Sequence, residues 1–225
     1  MYVHPAFKVD DGEALAMLRD RAFGLLVVTT PAAPVAVHVP FLVDEQADSS
    51  LRVALHVARA NALHSHIGQG SKALLVCAGP DAYISPDWYG VPNQVPTWTY
   101  TSVHLAGTVR LMPERGLLAH VDRLSAYFEN RLLPKQPWSS AKMDEARRAA
   151  MLKAIVGIEM EVESIAAQNK LIQHKGQTEH CGAIAHLRQH GQAGSMRIAE
   201  LMQEVARRKF GAEFPKQSVK QARHD

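Results

Sequence analysis

At 225 residues, with 47% apolar and 21% charged side chains, the chain is long enough to bury a core that offsets the entropy of folding, and its composition excludes a disordered or fibrous protein. A formal net charge of +3 is too small to demand a polyanionic partner. The two cysteines, Cys77 and Cys181, are too few for a disulfide framework and are not spaced as a zinc site, so both are expected as reduced thiols. No apolar run approaches the roughly 18 residues that cross a bilayer, and the opening MYVHPAFKVDDGE has neither a basic nor a long apolar leader region. These features make the cytoplasm the expected location, with no membrane partner.

In chain order, DDGEALAMLRDRAFG pairs Asp10 with Glu13 as a capping box and places Leu15, Leu18 and Ala22 at helical spacing, which predicts a first helix. The period then changes to two. LLVVTT, VAVHVPFLV and LRVALHVA are β-branched and alternate, with Val35, Val37, Val39 and Phe41 on one face and Ala36, His38 and Pro40 on the other. In the third strand Leu51, Val53, Leu55 and Val57 oppose Arg52, Ala54, His56 and Ala58. SKALLVCAG predicts a fourth strand, and TWTYTSVHLAGTVRLM a long fifth on which Trp98, Tyr100, Ser102 and His104 share a face.

ERGLLAHVDRLSAYFENRLL aligns Leu117, Val121, Leu124, Phe128 and Leu132 along one helical stripe, and MDEARRAAMLKAIV predicts a weaker helix. GIEMEVESI alternates Ile158, Met160 and Val162 against Glu159, Glu161 and Glu163, as a strand with one buried and one wet face does. Two short helices opened by Thr178 and Ser195 as N-caps complete the set. Five or six closely spaced strands with helices before and after them predict a small β-barrel with helices packed outside it. There is no internal repeat, no GxGxxG after a strand and no GxxxxGK[ST], so neither a Rossmann site nor a Walker loop is supported.

Two constellations carry chemistry. Between Gly79 and Tyr100, GPDAYISPDWYGVPNQVPTWTY holds five aromatic residues and four prolines. Proline fixes φ and restricts its predecessor, so this stiff segment either presents Tyr83, Trp88, Tyr89, Trp98 and Tyr100 as walls of a slot for a planar ligand or plugs a barrel end or a subunit interface with them. The second is HVARANALHSHI, where His56, Ala58, Arg59 and Asn61 follow one another as a strand turns toward a short helix. A guanidinium, an amide and free backbone N–H groups together suit an anion such as phosphate; the alternative is a solvated surface arginine. His64 with His66, and His186 with His190, have metal-compatible spacing but no third ligand, and no metal is expected. No catalytic residue is assigned: GxSxG is absent, and EMEVE reads as a wet strand face.

Successive blocks of this sequence resemble PaiB-type FMN-binding negative transcriptional regulators: MYVHPAFKVDD, HVPF from His38, LHVARAN from Leu55, GPDAYISPDWY from Gly79, VPTWTYTSVHLAG from Val95 and KLIQHK from Lys170. They run in order through most of the chain, to about position 190. Thr99 stands where the family pattern carries asparagine, and Ile172 and His174 replace a serine and an asparagine. The resemblance implies a mainly β (α+β) FMN-binding split β-barrel of the pyridoxamine-phosphate-oxidase-like kind, with helices outside and a C-terminal helical extension. It is expected as one domain over 1–225, with barrel strands mainly in 24–112 and 155–172, C-terminal helices over 178–210 and a tail over 211–225.

The resemblance also implies a homodimer with FMN at the subunit interface. Val37, His38, Val39 and Pro40 would lie beside the isoalloxazine, while His56, Ala58, Arg59 and Asn61 surround the phosphate. Ser102 would approach the flavin edge. Tyr83, Trp98, Thr99 and Tyr100 would close the site, with Lys170 and Gln173 arriving from a neighbouring strand or the partner chain. Two other readings use the same barrel: a flavin-dependent oxidoreductase acting on a small substrate, and a haem-binding barrel with His174, His180 or His186 as axial ligand. DNA binding has little behind it. The tail with Arg207, Arg208, Lys209, Lys216, Lys220 and Arg223 is basic, but the last two helices, separated by GQAGS, have too long a linker and too few base-reading side chains for a helix-turn-helix.

Overall fold

A computed structural model describes residues 1–68, 70–211 and 214. Among them are α1 (Asp11–Arg21), β1 (Phe23–Thr29), β2 (Pro34–Glu45), β3 (Leu51–Ala58), β4 (Ser71–Ile84), β5 (Thr97–Leu111), α2 (Glu114–Glu129), α3 (Glu145–Lys153), β6 (Ile155–Lys170), α4 (Gln177–His190) and α5 (Ala193–Phe210). The strands close into a barrel in the order β1-β2-β3-β6-β5-β4, and β1 pairs antiparallel with β2 and β4, as β3 does with β2 and β6. Closure removes the exposed edges that the alternating segments would otherwise leave unpaired. Among the described residues no helix is long and apolar enough to cross a membrane.

Contacts divide the chain into two compact units. One comprises Asp11–Cys77 and Val103–Ala166. Its core takes the faces expected from the alternation: Val39 and Phe41 of β2, Val53, Leu55 and Val57 of β3, and Ile158 and Met160 of β6 are buried, while Glu161 and Glu163 are exposed. Gly107 of β5 has a packing reason to be glycine, because a Cβ there would lie 2.0 Å from the Glu161 carbonyl oxygen. On α2 the buried stripe is Leu117, His120 and Leu124, whereas Leu132 lies beyond the helix and is exposed.

The other unit comprises Met1–Asp10, Ala78–Ser102 and Ala167–Asp225. Its core joins Ile84, Tyr89, Leu171 and Ile172 to Ala183, Ile184 and Leu187 of α4 and to Ile198, Ala199 and Met202 of α5. The helix starts differ from expectation. Thr178 and Ser195 lie inside helices whose N-caps are Gly176 and Gln192, neither with a side-chain cap bond. Packing sets the start of α5: Ser195 is buried, and a Cβ on Gly194 would come within 2.8 Å of the Asp81 carbonyl oxygen. Only Gly191 and Gln192 separate α4 from α5, so the linker expected to be long is short. Of the basic tail, Lys216, Lys220 and Arg223 lie outside the described residues.

Candidate functional site

The strand-end constellation is built by the pairing of β3 with β6, which sets His56 opposite Gly157 and Ala58 opposite Ile155. One residue on, the Arg59 backbone N–H donates to the Ala154 carbonyl at 2.7 Å, its Nε to the Lys153 carbonyl at 2.8 Å and its Nη2 to the Ile155 carbonyl at 3.2 Å. Lys153 ends α3, so a cation sits at the electronegative end of that helix. The fork is thereby fixed in place with three of its five N–H donors unspent among the described residues. Arg59 and Lys153 line a cleft of about 450 Å³ with Glu114, Leu117, Leu118 and Leu152. Asn61 turns the chain away from the strand by accepting from the Leu63 N–H at 2.9 Å, and its amide NH₂ donates no hydrogen bond among the described residues.

His56 sits in the same strand end and is half-buried. Its Nδ1 meets Nε2 of His120, from α2, at 3.2 Å. Burial holds both imidazoles below the ordinary histidine pKa, and His120, further opposed by His56 and Arg123, is pushed down to about 4. The sequence signal for His120 is a histidine at position i+3 from Leu117 on the apolar stripe, which spacing alone does not separate from a solvated one. On β2, Val37, His38, Val39 and Pro40 pair with Leu26, Leu25, Gly24 and Phe23 of β1, and the exposed His38 ring stacks on Phe23 at 5.9 Å.

The proline-rich segment belongs to the other unit, and it is not one stiff loop. Gly79–Ile84 extend β4, Pro86–Tyr89 form a 3₁₀ turn capped by Ser85, and Thr97–Tyr100 already belong to β5. The five rings divide between the two alternatives. Tyr89 is fully buried in the helical core with the Lys175 ammonium 4.9 Å from its centroid, and Trp88 stacks on His186 of α4 at 5.5 Å. These two anchor α4 and form no slot. Tyr83 and Trp98 remain 45% and 55% exposed and meet edge to face at 6.2 Å. Tyr100 is half-buried, with its hydroxyl bound by Gln168 Nε2.

The remaining expected residues are placed as follows. Thr99 is buried and donates its hydroxyl to the Ala82 carbonyl at 2.9 Å; Ser102 is buried on β5. Lys170 ends β6, and the Gln173 amide is spent at both ends on the following turn, donating to the Asn169 carbonyl and accepting from the Leu171 N–H. His180 of α4 is fully buried and meets Phe210 of α5 edge to face, with neither ring nitrogen in good hydrogen-bond geometry among the described residues. Burial, reinforced by Lys209, pushes it down to about 4, against the opposing pull of the Ile172 backbone and Glu179. Cys77 is a buried free thiol raised by burial to about 11 and is no nucleophile at neutral pH. Among the described residues no three histidine, cysteine or acidic side chains gather as a metal site.

A closed six-stranded antiparallel barrel with helices outside it is a split β-barrel of the flavin-binding kind. The fold is shared with the FAD and haem binding protein of Mycobacterium smegmatis (TM-score 0.51, 13% identity, 72% of this chain and 71% of that one). It is shared also with the flavocytochrome Anf3 of Azotobacter vinelandii (TM-score 0.52, 14% identity, 75% and 72%). Residues 1–164 match the family described as "Putative FMN-binding domain"; the chain belongs to that family, and FMN is its cofactor. The protease synthase and sporulation protein PAI 2 of Bacillus subtilis is 28% identical over 93% of this chain and all of its own length, in keeping with the PaiB-type resemblance of the sequence blocks.

Each unit offers residues whose chemistry suits one part of FMN. An immobilised guanidinium with unspent donors matches a phosphate, and two exposed, mutually braced rings match the area and π-faces of a tricycle.

Proposed function

We propose that the protein is a homodimeric FMN-binding split barrel of the PaiB type that acts in regulation. The observation that carries this reading is Arg59, whose guanidinium is held by the Lys153 and Ile155 carbonyls and still offers three N–H groups. It binds the phosphate oxygens together with His56 and the free amide hydrogens of Asn61. Val37, His38, Val39 and Pro40 of β2 contact the isoalloxazine. The other unit supplies Tyr83 and Trp98 as a ring-binding wall for a flavin, supported by Tyr100, Thr99, Ser102, Lys170 and Gln173, in each copy of the dimer. When bound, FMN supplies electron-transfer chemistry; the chain's own part is to bind and orient it.

The test is titration of flavin-free protein with FMN and with riboflavin, which lacks the phosphate. Near one equivalent of FMN per chain is expected, on a particle with the mass of two chains in light scattering. Arg59→Ala should weaken FMN about 10- to 100-fold, the worth of hydrogen bonds to a charged group, and leave riboflavin binding nearly unchanged. Absence of FMN binding at micromolar concentration rejects the reading. The regulatory role rests on the family resemblance and is tested by a salt-dependent mobility shift of duplex DNA.

A further inference from the structure

Two histidines separated by 64 positions in the chain meet where α2 lies near the end of β3, with Nδ1 of His56 and Nε2 of His120 3.2 Å apart and the rings at 73°. His120 is only 4% exposed, and its Nδ1 is buried without a hydrogen-bond partner among the described residues. The contact with His120 is the one hydrogen bond the His56 ring makes among those residues, so its Nε2 is unspent.

A hydrogen bond between two neutral imidazoles needs one protonated and one bare nitrogen. Were His56 Nδ1 the donor, His120 Nε2 would be bare and the proton of His120 would lie on its Nδ1, a buried N–H facing no acceptor. Orphaned buried donors are rarer than orphaned acceptors and cost the full desolvation of the group. The opposite arrangement leaves only a lone pair at that nitrogen. Both rings then take the Nε2–H form, which neutral histidine also favours in water. Burial keeps both rings neutral; near His120 the Arg123 guanidinium opposes a further proton and the Asp44 carboxylate, paired to it at 2.6 Å, favours one.

We infer that His120 is a positioning residue: its Nε2–H donates to His56 Nδ1 and so fixes His56 as a neutral imidazole presenting an N–H at Nε2. Such a group donates to an anionic oxygen and cannot ligate a cation without first losing its proton. That the oxygen belongs to a flavin phosphate rests on the proposed function; the tautomer itself does not.

Long-range ¹H–¹⁵N spectra of flavin-free protein labelled at histidine, at pH 7.5, read the tautomer directly. A bare Nδ1 and a protonated Nε2 are expected for His56 in the wild type. His120→Gln, which retains an amide N–H donor, should preserve that pattern; His120→Leu should shift His56 toward a mixture of both forms. In the same series FMN affinity should fall about 10-fold in His120→Leu and recover in His120→Gln, with riboflavin unaffected. A protonated Nδ1 on His56 in the wild type, or a His56 tautomer unchanged by His120→Leu, overturns the inference. Should His120→Leu not fold, the wild-type and His120→Gln spectra still decide it. A wild type that takes no FMN ends the proposed function alone, because the spectra need no ligand.

Discussion

Arg59 shows how one residue is read at two depths. The sequence placed a guanidinium at a strand end; only the pairing of β3 with β6 put it against the carbonyls of Lys153 and Ile155, nearly a hundred positions away. His120 and His180 were invisible as buried polar groups because helical spacing does not tell whether a histidine among apolar neighbours is enclosed. Both are held near pKa 4, chiefly by burial, against an ordinary value of about 6.5. Between those values the unfolded chain binds protons the folded one does not, so stability is full above pH 6.5 and falls as pH drops toward 4. The loss is on the order of 2 kcal/mol per histidine by pH 4.5. Urea midpoints at pH 7.5 and 4.5 should record it, and His180→Leu should remove about half of this contribution; an unchanged pH slope in that variant would refute the assignment.

Ile172, one of the departures from the family pattern, has φ of 56°, a left-handed conformation that costs a β-branched residue about 1–3 kcal/mol. Its side chain is 1% exposed, and burying it contributes about 1.5–3 kcal/mol, enough to offset the strain. Thr99, another departure, is accommodated by turning its hydroxyl inward to Ala82.

At the scale of elements, the existence of the strands was legible because alternation over six or more residues has few competing explanations, while their ends were not. β4 runs on to Ile84, past Pro80, where the sequence suggests that a stiff loop begins, because pairing within the barrel rather than local composition ends a strand. Helix starts failed for the same reason, since packing of Ser195 and Gly194 outweighed the worth of a hydroxyl cap. Two glycines on helices separate packing from propensity. A Cβ on Gly182 of α4 would lie 2.0 Å from the Trp88 carbonyl oxygen, so Gly182→Ala should force α4 off the 86–89 turn and cost about 3 kcal/mol. A Cβ on Gly116 of α2 would meet only the Met112 side chain, at 3.6 Å, and Gly116→Ala should gain about 0.5 kcal/mol from helix propensity. Thermal melts of the two variants, expected to move in opposite directions, check both.

For the whole molecule, Arg59 and His56 belong to one compact unit and Tyr83 and Trp98 to the other. The two groups should therefore fail differently. Trp98→Ala removes stacking area and should weaken FMN and riboflavin alike, by about 10-fold, whereas Arg59→Ala should discriminate between them. Equal losses for both ligands in Arg59→Ala would remove the phosphate role, and an FMN affinity indifferent to Trp98→Ala would remove the ring wall. Quenching of Trp98 fluorescence on flavin addition gives an independent reading of the same contact.

The sequence by itself determined the barrel class, the burial alternation of its strands, the family and its cofactor, since period-two patterning and contiguous blocks are properties of neighbouring residues. Tertiary structure alone decided which aromatic rings stay open, which donors of Arg59 are spent, and that His120 meets His56. Each of these is a contact between segments distant in the chain, fixed by strand register and helix packing, and one-dimensional spacing carries no record of it.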